Sequence, residues 1–231
     1  MRTLIAIPCM ETVQTEFARS LVNMRTVGTV QYGFLGCSLV YHARKELSKI
    51  ALQTEADYVL WIDSDMNFGK TLMEDFLKAI EGRDIVSGIC HMRHPPYRPV
   101  LWKKLKQGVL PEQAELEPYD DYPQDGIFEV EGCGFGAVMM RTSVIRKVAE
   151  TFHETFGPIP GFGEDLSFCL RARNCGFKIH ADPSIQVGHK GSMIVTDKTF
   201  RAFAGWPDRT KERDTDADGM QAGDGDHGSG V

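Results

Sequence analysis

Asp63-Ser64-Asp65 follows directly on Tyr58-Val59-Leu60-Trp61-Ile62, a run of apolar and aromatic residues. Such a run reads as a central parallel strand buried on both faces, so the carboxylates are expected at the carboxyl edge of the sheet, where open α/β folds bind ligands. Two carboxylates separated by one residue can divide labour. One bonds a ribose hydroxyl, while the other offers hard oxygen to Mg2+ or Mn2+ that also holds a diphosphate. The same residues would also serve as a polar turn ahead of a helix capped at Thr71, and their spacing alone leaves both readings open.

A second group is Gly161-Phe162-Gly163-Glu164-Asp165, in which two glycines open onto paired carboxylates at the start of a helix. A helix N-terminus favours negative charge, so a carboxylate there stays ionised and can act as a base toward an acceptor hydroxyl. Acidic enrichment in a first helical turn is equally ordinary helix chemistry. Third is His189 in Val187-Gly188-His189-Lys190-Gly191, after a short strand. A neutral imidazole could complete a metal site, or serve structure alone.

The elements that must position these groups are legible in part. Arg2 to Cys9 reads as a buried first strand stopped near Pro8, followed by a helix from about Thr15 to Met24. Val27 to Tyr32 suggests a second strand. Leu39, Ala43, Leu47, Ile50 and Ala51 then recur at helical spacing, as do Leu72, Met73, Phe76, Leu77 and Ile80 farther on. With a strand over Asp84 to Gly88, the alternation argues for right-handed βαβ units in a doubly wound sheet. From His91 to Gly126 neither period holds, and the segment reads as an insertion of loops around a hairpin. Phe135 to Arg141 resumes as a strand, with Ser143 as N-cap of a helix to about Thr155. A helix over Glu164 to Cys175 closes at Gly176, and short strands are expected over Lys178 to His180 and Ile185 to His189.

The 231 residues suit one domain, expected over residues 1–206, with a polar, glycine-rich tail over 207–231 expected to be disordered. That tail holds seven acidic against three basic residues, a net −4 of the total −6, so the rest carries −2. A mildly acidic body does not favour wholesale nucleic-acid binding. Yet Arg93, Arg98, Lys103, Lys104 and Lys106 fall between His91 and Lys106 with no acidic residue among them, and Tyr97 and Trp102 are interleaved. Such a strip could grip phosphate and stack on sugars or bases. The acidic stretch from Glu112 to Asp125 reads as a mobile lid or a solvated loop. The six cysteines form no CxxC pair, which argues for buried thiols over a zinc ribbon or a disulfide framework. No apolar run reaches membrane-span length and the start lacks a signal-peptide pattern, so a cytoplasmic protein is expected.

In order and spacing, WIDSD, then GFGEDLSFCLRARNCG, then VGHKG resembles the GT-A glycosyltransferases, in particular the family-two type and the relatives that initiate mucin-type glycans. The resemblance covers roughly residues 1 to 206. It implies a GT-A mixed central sheet flanked by helices and transfer of a sugar from a nucleotide-diphosphate sugar, UDP-sugar first, with Mn2+ or Mg2+ as cofactor. Asp65 would bind the metal with His189, and Asp63 would touch ribose or metal within the Asp63-Ser64-Asp65 motif. Asp165 would be the base, with Glu164 holding an acceptor or donor hydroxyl. Pro8 and Arg44 match where the family begins its nucleotide pocket, Arg44 as a diphosphate partner or as a solvated helix arginine. Gly132 and Gly134 would lie near the donor sugar or form a bulge or tight turn.

An inverting reaction would need Asp165 to take the acceptor proton, whereas a retaining one would not. Small transferases of this kind also look like those of phage genomes, which keeps modified bases in DNA open as acceptors beside saccharides, lipid-linked sugars and protein side chains. A nucleotidyltransferase would be expected to show a glycine- and basic-rich loop after the first strand, where this chain has Cys9-Met10-Glu11-Thr12. A catalytically silent module binding carbohydrate or a partner protein would have no need of the full acidic and histidine set. Neither a GxGxxG after a strand nor a GxSxG elbow occurs.

Overall fold

β1 (Arg2–Cys9) and β3 (Tyr58–Ile62) are neighbouring interior strands whose side chains alternate between two apolar layers. Leu4, Ala6, Val59 and Trp61 enter one layer, and Ile5, Ile7, Leu60 and Ile62 enter the other. A computed structural model of the chain describes residues 1–203 except 109, 111, 112, 192 and 193, so the expected tail lies outside the described residues. β2 (Thr29–Gly36) pairs in parallel with β1 along its full length, from Arg2 opposite Thr29 to Cys9 opposite Gly36. It runs beyond the expected Tyr32 because backbone pairing continues where most side chains are exposed or half-buried, which leaves no apolar period to read.

Helices cover both faces. On one face, α2 (Val40–Gln53) buries Ala43, Leu47 and Ala51, joined by Val144, Ile145 and Val148 of α4 (Thr142–Phe152) and Phe168 of α5 (Glu164–Asn174). On the other, α1 (Thr15–Asn23) contributes Phe17, and α3 (Leu72–Ala79) contributes Leu72, Met73 and Phe76. Each fully buried large apolar side chain stabilises by about 1.5–3 kcal/mol, which is why these two layers dictate the architecture.

With β5 (Ile85–Ile89), β8 (Phe128–Val130), β10 (Ala137–Arg141) and β11 (Ile179–Gln186), the main sheet runs β2-β1-β3-β10-β5-β11-β8. β10 is antiparallel to both β3 and β5, so the sheet is mixed and β3 has a parallel partner on one side only. A buried strand reads as continuous apolar sequence whichever way its neighbour runs.

Three local expectations are corrected. The helix expected to be capped by Ser143 begins two residues earlier, with Arg141 at the cap position, because β10 runs straight into it and the Thr142 N–H donates to the Asp57 carbonyl at 3.0 Å. It stops at a left-handed His153, and Phe156 beyond it turns into the core against Phe168, 4.5 Å between ring centroids. The strand expected over Lys178 to His180 extends to Gln186, with its register shifted between Ala181 and Gln186. Pro183 has no N–H to give the ladder, and the Asp182 carboxylate takes up the Ser184 N–H and hydroxyl at 2.9 and 2.6 Å.

Two small sheets complete the fold. β4 (Met66–Asn67), β12 (Gly188–Lys190) and β13 (Ile194–Val195) form one. β6 (Leu101–Lys106), β7 (Glu115–Pro118) and β9 (Gly132–Cys133) form the other, so the insertion does contain a hairpin, β6–β7. α6 (Asp197–Ala202) follows β13 and rests Phe200 against Tyr97 and Val195. The six cysteines are all free thiols, with Cys90, Cys133 and Cys169 buried. Among the described residues, no helix is long and apolar enough to cross a membrane.

Candidate active site

Asp63 is the first residue past β3, and its neighbours along the chain are pinned from three directions. The Asp63 N–H donates to the Gly136 carbonyl at 3.1 Å, the Ser64 carbonyl accepts from the Gln14 N–H at 3.2 Å, and the Asp65 carbonyl accepts from the Lys190 N–H at 2.8 Å. The link to Lys190 continues the β4–β12 ladder, in which His189 stands opposite Met66 and Gly188 opposite Asn67. That register carries His189 across 124 residues of sequence to the Asp65 side chain, with Nε2 3.3 Å from Oδ2.

The His189 ring is fixed from behind. Its Nδ1 lies 2.7 Å from the His91 carbonyl, and a carbonyl only accepts, so Nδ1 carries a proton. In the neutral imidazole Nε2 then presents a lone pair toward the carboxylate; in the imidazolium it donates to it. Asp65 Oδ2 also accepts from Arg93 Nη1 at 3.1 Å. Burial pushes the Asp65 carboxyl up, but the hydrogen bond and charge of His189 and the charge of Arg93 hold it below the usual carboxylate range. His91 itself is fully buried, and neither ring nitrogen has a hydrogen-bond partner among the described residues. Burial drives that imidazole down to about 4.

Asp63 faces the other way. Its Oδ1 accepts from Arg44 Nη2 at 2.9 Å, and Arg44 Nε lies 3.5 Å from Glu164 Oε1. Arg44 is only 2 % exposed, so it is not a solvated helix arginine. Its guanidinium sits 5.3 to 6.0 Å from the ring centroids of Phe135, Trp61 and Phe156, an aromatic surround that favours a cation. Desolvation raises the Asp63 carboxyl, opposed by the charge of Arg44.

The Gly163 to Asp165 segment brings the second acidic pair to the same end of the sheet. Asp165 Oδ1 accepts from the Leu166 N–H at 2.8 Å, and burial together with the Glu164 charge raises the Asp165 carboxyl to about 6. Burial pushes the Cys90 thiol up to about 12, with smaller contributions from the charges of Asp63, Asp165 and Asp65. Gly134 is required by space: a Cβ there would stand 2.6 Å from Val100 Cγ1 and 3.6 Å from Asp165 Oδ2. Gly132 packs against Leu105 and Leu166 instead.

A cleft of about 270 Å³ opens beside the first acidic motif, lined by Pro8, Cys9, Cys37, Ser38, Asp63, Ser64, Asp65 and Arg93 among others. Arg44 lies behind this lining. The residue that sequence reasoning did not single out is Arg93, which stood only as one member of a basic strip; its side chain is 56 % exposed and reaches Asp65. The rest of the strip is engaged internally. Arg98 pairs with Asp120 at 3.2 Å, Lys104 and Lys106 pair with Glu115, and Lys103 lies 5.4 Å from the Tyr119 ring centroid.

Among the described residues no group of three His, Cys, Asp or Glu side chains could hold a metal ion together. Asp65 and His189 form a pair of donors, and the chemistry of that pair suits a divalent cation. A carboxylate oxygen and an imidazole nitrogen face one another, with the far ring nitrogen held by a carbonyl in the manner of metal-binding histidines. A magnesium- or manganese-like ion keeps several positions for substrate phosphates and water, so two protein donors suffice.

No protein-family model matches the chain, and no curated protein matches it in sequence. Among solved structures, it is similar to A197 from STIV, with a TM-score of 0.57, 21% identity, and coverage of 83% of this chain and 86% of that one. It is also similar to GalNAc-T7, solved with UDP, GalNAc and Mn2+, with a TM-score of 0.54 and 11% identity. That match covers 82% of this chain but only 43% of the longer one. The fold is the GT-A type, a mixed central sheet flanked by helices.

Proposed function

We propose that this chain is a metal-dependent glycosyltransferase that moves a sugar from a nucleoside-diphosphate sugar to an acceptor hydroxyl. The observation that carries the reading is the meeting of His189 with Asp65, which lines a cleft together with Asp63 and Ser64. The likeness of fold to a structure containing UDP, GalNAc and Mn2+ supports UDP as the first nucleotide to try.

In this reading Asp65 and His189 hold Mn2+ or Mg2+, which supplies positive charge to the leaving diphosphate. Asp63 serves the site through Arg44, which keeps its carboxylate oriented toward the cleft edge. Pro8 and Ser64 bound the nucleotide pocket. Glu164, anchored on the same Arg44, orients a sugar hydroxyl, and Asp165 accepts the acceptor's proton in an inverting transfer. Gly134 lets Val100 pack beside Asp165, where any side chain would meet it. Of the acceptors, a neutral saccharide hydroxyl fits better than DNA, because the cations of the 91–106 strip other than Arg93 are engaged within the insertion.

Calorimetry with UDP, GDP, CDP and dTDP, with and without Mn2+, tests the donor site. One nucleotide should bind tightly only with metal, and Asp65→Ala should abolish that binding. Failure of every nucleotide to bind with metal present would remove the transferase reading and leave a silent module.

A further inference from the structure

The segment between β5 and β6 is folded back on itself. The Val100 N–H donates to the Cys90 carbonyl and the Met92 N–H to the Arg98 carbonyl, each at 2.9 Å, and His91 bridges Pro99. This closed loop performs two tasks two residues apart: the His91 carbonyl orients His189, and the Arg93 guanidinium contacts Asp65. Both converge on one atom, Asp65 Oδ2, with Arg93 Nη1 at 3.1 Å and His189 Nε2 at 3.3 Å.

We infer that Arg93 is a counter-ion that changes partners: it neutralises Asp65 in the free protein and passes to the donor's diphosphate when metal and nucleotide enter together. This rests on the donor site proposed above. A guanidinium cannot remain on the carboxylate oxygen that a divalent cation takes, since the two positive charges would lie within a few ångströms of each other. Its nearest new partner is the anion arriving with the cation. Arg93 already lines the cleft, its long side chain is more than half exposed, and its planar fork matches phosphate oxygens. The consequence is coupling: metal alone must displace Arg93 into water, whereas metal with a diphosphate gives the arginine a new ion pair.

The test is Arg93→Ala, which removes an exposed side chain and leaves the loop's backbone hydrogen bonds in place. Mn2+ binding without nucleotide, read from the electron paramagnetic resonance of free Mn2+, should tighten by several-fold. UDP binding in saturating Mn2+, read by calorimetry, should weaken by roughly 10-fold or more, the scale of a lost charge-assisted hydrogen bond. Uridine, which has no phosphate, should bind wild type and variant equally. A variant in which both affinities fall, or in which neither changes, overturns the role of Arg93. If wild type itself binds no nucleoside diphosphate with Mn2+, it is the donor-site reading that fails.

Discussion

Arg44 Nη2 stands 2.9 Å from Asp63 Oδ1, and with this contact a helix residue that is almost wholly buried carries the charge balance of the site. The same guanidinium reaches Glu164, so one cation joins the first acidic motif to the second across the top of the sheet. Replacing Arg44 by alanine would leave the part-buried carboxylates of Asp63 and Glu164 without their counter-ion and remove the cation from among Trp61, Phe135 and Phe156. Breaking a buried pair from one side costs about 3–5 kcal/mol. Denaturant unfolding of Arg44→Ala should show a loss of that order, and Arg44→Lys should restore only part of it, since an ammonium has no fork to span both partners. A loss below about 1 kcal/mol, no more than an exposed ion pair, would remove the claim that Arg44 holds the site together.

Asp165, with its carboxyl raised to about 6, should be a competent base at neutral pH. In an inverting enzyme kcat/KM should fall as pH drops through about 6, and Asp165→Asn should lower kcat by about 100-fold or more. The stability effect has the opposite sense. Because the folded carboxyl is raised from 3.8, the folded state holds its proton more tightly than the unfolded chain does, so stability is lost as pH rises from 3.8 to about 6 and then levels off. Denaturation of Asp165→Asn across this range should therefore show stability equal to or above wild type at pH 8, the difference narrowing toward pH 4. A pH–rate profile identical in wild type and variant would exclude Asp165 as the base.

Gly134 has no room for a methyl group: the added Cβ would approach Val100 Cγ1 to 2.6 Å. Gly134→Ala should cost about 1–3 kcal/mol, typical of overpacking. Pairing it with Val100→Ala should recover part of that loss, a coupling that a double-mutant cycle in denaturant would measure. Strict additivity would mean that Val100 is not what excludes the side chain.

The internal pairing of Lys104 and Lys106 with Glu115 predicts weak, unremarkable binding to nucleic acid. Fluorescence anisotropy with duplex DNA, plain or containing hydroxymethylated pyrimidines, should give dissociation constants no tighter than about 10⁻⁵ M near physiological salt, within the non-specific range. Tight binding with a steep salt dependence, selective for the modified duplex, would instead make DNA the acceptor.

What the sequence determined by itself was the part of the fold written in short-range periods and the residue types of the site. The run Tyr58 to Ile62, the helical spacing of Ala43, Leu47 and Ala51, and the position of Asp63-Ser64-Asp65 after a buried strand all follow from local burial, and the structure has these elements as expected. β2 beyond Tyr32 was not legible, because an edge strand pairs through its backbone and leaves its side chains without a pattern. Nor was the direction of β10, since a strand buried on both faces looks alike in either orientation. Tertiary structure alone decided which charges meet. Arg44 and Asp63 are 19 residues apart and His189 and Asp65 are 124 apart, and only sheet register and helix docking set those distances. The same holds for Arg93, which in sequence is one cation of five in a strip. In space it is the strip residue on Asp65, because the folded-back loop aims it there while Glu115, Asp120 and the Tyr119 ring engage the other cations within the insertion.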